Sequence, residues 1–411
     1  MPEIDLEFRE PTESELEQIE RLDNLLFGFT ELEGRYYTRR KQADFLYCGV
    51  MPDGTVAVSL RVYPFHAWVG GTRYKVGGLG NIACQPHLRR RGYTSALVAH
   101  ALHECRERGY QLAYVWPFDH GFYRALGFEV VERTTTYSFF PEQLPEDPSQ
   151  RFIFPVLEDR FEELNDFYNQ FVAPSHNGLV ERTIEDWLNL VRSGRHIYGF
   201  IRGNICGYLI AQFEMVDPLC QRILIEELYG TDEAVRGLWS FVRSLSDQFR
   251  EARYITDIRE PFHLLIKDPR KLAASQKLGG SVVQQALNFG FMARIVNLKS
   301  CFSTPRNFNH AHGEVLIEVS DPTLPTNHSV WLLQFAEGQP SVQEIILADR
   351  RDFPNTKLIR TDISTLSALF MCAYRPSVLF HYGLIEADSE KALELLDQAF
   401  DGKLPRLHTQ F

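Results

Sequence analysis

Apolar positions along the chain change period several times, and each change marks an element. Thr12 and Glu15 make a capping box, and Leu16, Ile19, Leu22 and Leu26 follow at helical spacing, so a short strand and then this helix are expected to open the chain. Strands come next. Phe45 to Val50 and Thr55 to Tyr63 flank Pro52-Asp53-Gly54, which predicts a hairpin, and Thr72 to Val76 leads through glycines into the strand Leu79 to Cys84. A second helix is expected because Leu97, Val98, Ala101, Leu102 and Cys105 share one face, with Gly109 as its left-handed stop. Leu112 to Trp116 reads as a strand, and Glu132 to Phe140 as the strand that closes this block.

Pro141, Pro145, Pro148 and Pro155 then fall in a polar segment that reads as a linker. Beyond it the order recurs: His196 to Ile201, the turn Arg202-Gly203-Asn204, Cys206 to Phe213, Ile223 to Tyr229, and a helix from Glu233 to Leu245. This reads as a degenerate second copy, although two unrelated α/β segments would show the same order. Its helix begins with Thr231-Asp232-Glu233, acids that repel an anionic ligand. A third block begins near Phe289 with the strand-like Phe291 to Leu298 and continues through Gly313 to Val319, Val330 to Phe335 and Ser341 to Leu347. Thr361 to Phe370 and Ala387 to Phe400 are helical in pattern, with Gly402 as the stop. The expected organisation is α/β (α+β) in three domains, 1–143, 144–288 and 289–411.

Composition narrows the partners. A length of 411 residues is enough for several cores, and 44% apolar with 24% charged residues is ordinary for a globular protein. A net charge of −11 argues against nucleic acid as the main partner. Cys48, Cys84, Cys105, Cys206, Cys220, Cys301 and Cys372 form no CxxC pair, as expected of reduced thiols. Met1-Pro2-Glu3-Ile4-Asp5 has no signal-peptide character, and no run approaches the ~18 apolar residues of a membrane span. A cytoplasmic location without a membrane partner is expected.

The candidate chemistry begins at Ile82-Ala83-Cys84-Gln85-Pro86-His87-Leu88-Arg89-Arg90-Arg91-Gly92-Tyr93-Thr94, where a strand breaks at a proline and enters a helix through a basic turn. Free N–H groups at a helix start attract an anion, and three arginines add positive charge; a solvated basic turn is the plainer alternative. Arg89-x-x-Gly92-x-Thr94 resembles the coenzyme A pyrophosphate signature of the GNAT acetyltransferases, (Gln/Arg)-x-x-Gly-x-(Gly/Ala), with Thr94 departing at the last position. His120-Gly121-Phe122-Tyr123-Arg124-Ala125-Leu126-Gly127-Phe128 is similar to the last helix of that core. His100, His103 and Cys105 lack metal-ligand spacing, so no metal is expected. Cys84 has no evident His partner and reads as a small strand residue rather than a nucleophile.

With Gly237-Leu238-Trp239-Ser240-Phe241, Ala293-Arg294-Ile295-Val296 and a final Phe411, the whole chain resembles the Eis family (enhanced intracellular survival): an active GNAT domain, a cofactor-free GNAT-like domain and a sterol-carrier-protein-like domain. The resemblance implies an N-acetyltransferase that uses acetyl-CoA as co-substrate and joins acetyl to an aminoglycoside, polyamine or lysine-like amine in a ternary complex. It implies a hexamer as well. Carried over by position, Ile82, Ala83 and Cys84 would meet the pantetheine arm, and Arg89, Arg90, Arg91, Gly92, Tyr93, Thr94 and Ser95 the pyrophosphate. Phe118 and Asp119 would make a further cofactor contact. Tyr123 would protonate the departing thiolate, and the carboxylate of Phe411 would be the general base.

A lysine-like amine has a pKa of about 10.4 and must lose a proton to attack, while tyrosine near 10 stays protonated. The structural alternatives are a core tyrosine and a buried aromatic anchor. Aminoglycoside-modifying members have an acid beside the last residue and another after the first helix, whereas here Gln410 is penultimate and Leu26-Phe27-Gly28-Phe29-Thr30-Glu31 offers only Glu31. A protein that binds acyl-CoA or lipid without turnover is the competing class.

Overall fold

The computed structural model describes residues 5–28, 45–217, 220–268, 284–336, 339–345, 353, 356–409 and 411. Two compact units emerge: Met1–Glu132 with Gly290–Pro405 and Thr409–Phe411, and Arg133–Phe289 with Arg406–His408.

The chain opens with strand β1 (Glu7–Arg9) and helix α1 (Glu13–Phe27). The capping box forms as expected, Thr12 N donating to Glu15 Oε2 at 2.7 Å, and left-handed Gly28 ends the helix. Strands β2 (Phe45–Val50), β3 (Val56–Val69) and β4 (Thr72–Cys84) make an antiparallel meander whose first turn closes with Met51 N on the Thr55 carbonyl at 2.9 Å. Helix α2 (Tyr93–Glu107), strand β5 (Leu112–Val115), short helix α3 (His120–Arg124) and strand β6 (Glu129–Val130) follow. The predicted face of α2, Leu97 to Cys105, packs on Val58, Leu60, Val62, Leu79 and Val115. Each such buried aliphatic side chain contributes roughly 1.5–3 kcal/mol.

Strand β7 (Arg133–Phe139), expected to close the first block, belongs instead to the second sheet. Its Tyr137 and Phe139 are inward-facing and join Leu209, Ile225, Leu238, Trp239 and Phe262 in that core. The rest of this unit comprises β8 (Ile153–Pro155), α4 (Phe161–Phe167), α5 (Ile184–Arg192), β9 (His196–Arg202), β10 (Asn204–Asp217), β11 (Cys220–Gly230), α6 (Asp232–Ser244), β12 (Phe249–Asp257) and β13 (Gln284–Phe289). The strands lie in the order β13-β7-β12-β11-β10-β9-β8. The proline-rich stretch is structured rather than a free linker: Pro141–Gln143 and Pro148–Phe152 form tight turns, and buried Ser149 sits where a side chain on Gly237 of α6 would go.

Within this unit a buried polar network holds Arg406–His408. Glu227 accepts from both terminal nitrogens of Arg182, at 3.0 and 2.5 Å, and from the Tyr208 hydroxyl at 2.7 Å. His408 Nε2 and the Tyr229 hydroxyl are 2.7 Å apart, and Arg406 N donates to the Asn177 carbonyl at 2.8 Å.

Strand β14 (Met292–Ile295), expected to open the third block, joins the first sheet, where the order is β1-β2-β3-β4-β5-β14-β6. Met292 and Val296 complete the core under α2. The remaining elements are α7 (Leu298–Ser303), β15 (Gly313–Ser320), β16 (Ser329–Ala336), β17 (Gln339–Ile345), β18 (Leu358–Asp362), α8 (Ile363–Phe370), α9 (Pro376–His381), β19 (Glu386–Ala387) and α10 (Glu390–Ala399). Their sheet runs β17-β16-β15-β18-β19. Helix α8 is capped by Asp362 and docks on β14, its Ser367 Oγ accepting from Ile295 N at 2.8 Å. Helix α10 stops at Ala399 with Phe400 as its cap, ahead of the glycine expected to end it.

Candidate active site

The site begins with a break in sheet pairing. Parallel β4 and β5 pair from Val76↔Leu112 to Leu79↔Val115 and no further, so Gly80 to Cys84 continue without a partner on that side among the described residues. A bulge turns the strand there: Ser59 faces Ala83 and Arg61 faces Gly80, leaving one extra residue in β4. Asn81 takes a left-handed φ of 47°, and its Oδ1 accepts from the Tyr63 hydroxyl at 2.8 Å. The backbone of Ile82, Ala83 and Cys84 therefore borders an opening beside β5. Ala83 is buried, while Ile82 and Cys84 are half-buried.

Beyond Cys84 the chain makes a short turn, Pro86–Leu88, pinned by buried Leu88. Arg90 and Gly92 adopt left-handed φ of 62° and 85°, and α2 begins at Tyr93 with Gly92 as its cap. A glycine cap has no side chain to satisfy the first-turn N–H groups, which are those of Tyr93, Thr94 and Ser95. No atom lies within 4 Å of where a Gly92 Cβ would be, so that side of the helix start is open. Arg89, Arg90 and Arg91 are exposed and form no ion pair among the described residues. This basic, open helix start suits a pyrophosphate, and the unpaired strand end beside it suits the amides of a pantetheine arm. Burial pushes the Cys84 thiol above its ordinary pKa, against Thr94 and Arg89, which keeps it protonated and speaks against a nucleophile.

The equivalent junction in the second unit is different. β11 ends at Gly230 and α6 begins at Asp232, with Thr231 accepting from Ala234 N and Asp232 and Glu233 in the first turn. Gly207, Gly230 and Ala234 are in close contact there. No arginine loop intervenes.

Because β4 and β5 are parallel, their C-terminal ends share one edge of the sheet, which brings Trp116 to Asp119 beside the opening. Phe118 is 61% exposed, whereas Asp119 is engaged as the α3 cap, accepting from Phe122 N at 2.7 Å. Tyr123 is 1% exposed and ringed by Phe118, Phe122 and Phe128, with centroids 4.9–5.8 Å away. Burial pushes its pKa well above the ordinary value, so it holds its proton at neutral pH.

Phe411 lies on the other face of β4, its ring 6.1 Å from Tyr63 and 5.1 Å from Phe65. Its carboxyl carbon and oxygen are 2.9 Å from where a Gly80 Cβ would stand, and its ring is equally close to that of Gly78. Trp116 Nε1 donates to the Thr409 carbonyl at 3.1 Å. Gly78, Gly80, Tyr63, Phe65 and Trp116 were invisible as site residues in the sequence; alternate glycines on one strand face were the available signal. Glu31 and Gln410, the two positions that bear on the charge of the acceptor pocket, lie outside the described residues. His100 packs against Phe8 and Tyr47 at 5.7 and 5.0 Å.

Comparison with known proteins identifies the family and the fold. Family models for an acetyltransferase (GNAT) domain match residues 7–131 and 178–295, and one for a sterol carrier protein domain matches residues 302–407. The fold is similar to a GCN5-related N-acetyltransferase from Anabaena variabilis ATCC 29413, with TM-score 0.82, 20% identity and coverage of 98% of this chain and 99% of that one. A GCN5-related N-acetyltransferase from Kribbella flavida is similar at TM-score 0.80 and 21% identity, over 99% and 100% of the two chains. Eis1 from Mycobacterium abscessus is similar at TM-score 0.78 and 20% identity, again over 99% and 100%. Among curated protein sequences nothing matches.

Proposed function

The chain belongs to the GNAT N-acetyltransferases, with the Eis-like fold of two GNAT domains and a sterol carrier protein domain, and from this premise we propose that it acetylates a primary amine directly in a ternary complex. Acetyl-CoA, the co-substrate, supplies an activated acetyl thioester. Arg89 to Ser95 hold its pyrophosphate and Ile82 to Cys84 its pantetheine arm, with Phe118 and Asp119 at the mouth. The observation that carries this reading is the opening beyond Leu79 and Val115, flanked by the start of α2 with Gly92 as its left-handed cap.

Where Phe411 ends the chain, its carboxylate accepts the proton that the acceptor ammonium must lose, directly or through water. Tyr123 gives its hydroxyl proton to the departing sulfur as the new N–C bond replaces the C–S bond. The close approach of the Phe411 carboxyl to Gly80, beside that opening, supports the first role; the protonated state of buried Tyr123 supports the second. The acceptor is an aminoglycoside, a polyamine or a lysine-like amine, and the working form is a cytoplasmic hexamer.

Thiol release from acetyl-CoA across a panel of those amines tests the reading. Amine-dependent release that falls at least tenfold in Tyr123→Phe and on deletion of Phe411 is expected. Tight acetyl-CoA binding without release for any amine would favour the carrier alternative, and release unaffected by the deletion would remove the base role.

A further inference from the structure

Tyr123 occupies a defined place in a helix stop. Phe128 N donates to its carbonyl at 3.1 Å and Gly127 N donates to the Arg124 carbonyl at 2.9 Å, with Gly127 at a φ of +85°. This is a Schellman motif, and the contact between the Phe128 and Tyr123 rings completes it. The Schellman bonds leave two carbonyls over at this helix end, those of Ala125 and Leu126, and the second is the one that meets Arg294. Arg294 fills it: Nη1 donates to the Leu126 oxygen, and the guanidinium occupies the space that a side chain on Gly127 would need.

Arg294 is itself held from the third domain. Its Nη2 donates to both oxygens of Asp321, at 2.8 and 2.7 Å, and both side chains are 0% exposed. Asp321 also accepts from Thr323 N, Leu324 N and Asn327 Nδ2 at 3.0–3.1 Å. Asn327 in turn accepts from Leu298 N at 3.1 Å, which anchors the network to α7. Ile363 of α8 closes the other side of Gly127. A buried ion pair is a poor source of net stability, since apolar residues of similar volume hold a fold as well or better. Its fork geometry does supply position.

We propose that Arg294 and Asp321 are a positioning pair for Tyr123, so that the sterol carrier protein domain is a working part of the acetyltransferase site. The inference rests on the reading of Tyr123 as general acid. A proton donor displaced by about 1 Å costs on the order of 100-fold in rate.

Two variants test it. Arg294→Met with Asp321→Leu removes both charges and leaves no buried ion unpaired. Arg294→Lys keeps a charge for Asp321 but loses the fork that also reaches Leu126. Steady-state kinetics with acetyl-CoA and a responsive amine, acetyl-CoA affinity by calorimetry, and the same changes in a Tyr123→Phe background are measured. The expected result is a 10- to 100-fold lower kcat, acetyl-CoA affinity within twofold of native, and less than twofold further loss when Tyr123 is already Phe. An unchanged kcat in Arg294→Lys, or a loss that multiplies fully with Tyr123→Phe, would overturn the proposal while the acid role stands. If the paired variant fails to fold, Arg294→Lys alone decides. A Tyr123→Phe enzyme with native kcat would instead overturn the acid role, and the proposal would fall with it.

Discussion

At Gly80 the space for a methyl group is taken by the carboxyl of Phe411 at 2.9 Å and by the Tyr63 ring at the same distance. The residue's φ is not in the left-handed region, so alanine is acceptable to the backbone and what forbids it is the approach of the tail and of the Tyr63 ring. Gly80→Ala is expected to displace Phe411, lowering kcat at least tenfold with acetyl-CoA affinity unchanged. It should also speed release of Phe411 by a carboxypeptidase. Loss of activity with Phe411 still protected would show that the glycine serves something other than the tail. Tyr123 and Gly92 were legible in the sequence because a helix start and a Gly-Phe stop are local patterns. Gly80 was not, since its partner is the far end of the chain.

Among the elements, two strand-to-helix junctions with one ancestry of pattern differ in what fills them. The first has a loop from Gln85 to Gly92 ahead of α2; in the second, Thr231 alone separates β11 from α6. Acids at that second helix start were visible in the sequence, but the buried cluster around Glu227 was not, because its members come from separate strands, the segment before α5 and the tail. That cluster makes stability depend on pH. Burial lowers His408 from 6.5 to about 3, and Glu227, which burial alone would raise, is brought from 4.5 down to about 2 by the charge of Arg182. An unfolded His408 takes up a proton below about 6.5 that the folded one refuses, so stability falls as pH drops from there toward 3. Glu227 adds a loss in the same direction between about 4.5 and 2. Each group contributes a slope of up to about 1.4 kcal/mol per pH unit. Urea melts from pH 7.5 to 5 should show this decline in the native chain and a flatter one in His408→Gln; identical slopes would mean that His408 titrates normally in the fold.

For the molecule as a whole, exchanged strands set what can fold alone. β7 follows the first block in sequence and pairs with β12 and β13, while β14 follows the second and pairs with β5 and β6. A fragment of residues 1–143 keeps β7 without its partners and lacks Met292 and Val296 of the core under α2. It is expected to show no cooperative thermal transition and to bind acetyl-CoA at least 100-fold more weakly than the full chain. A fragment with a sharp transition and native affinity would mean that β7 can substitute for β14 at β5.

The sequence by itself determined the elements, the phosphate-type helix start at Gly92 and the order of three blocks, because apolar period, caps and turn residues act over a few neighbouring positions. It also showed that Tyr123 stands before a glycine stop. Tertiary structure alone decided which sheet β7 and β14 enter, that the proline-rich stretch is packed against α6, and that Arg294 reaches from β14 to both Leu126 and Asp321. Strand pairing and buried charge depend on partners distant in the chain, and any apolar strand of suitable length satisfies the local rules equally well.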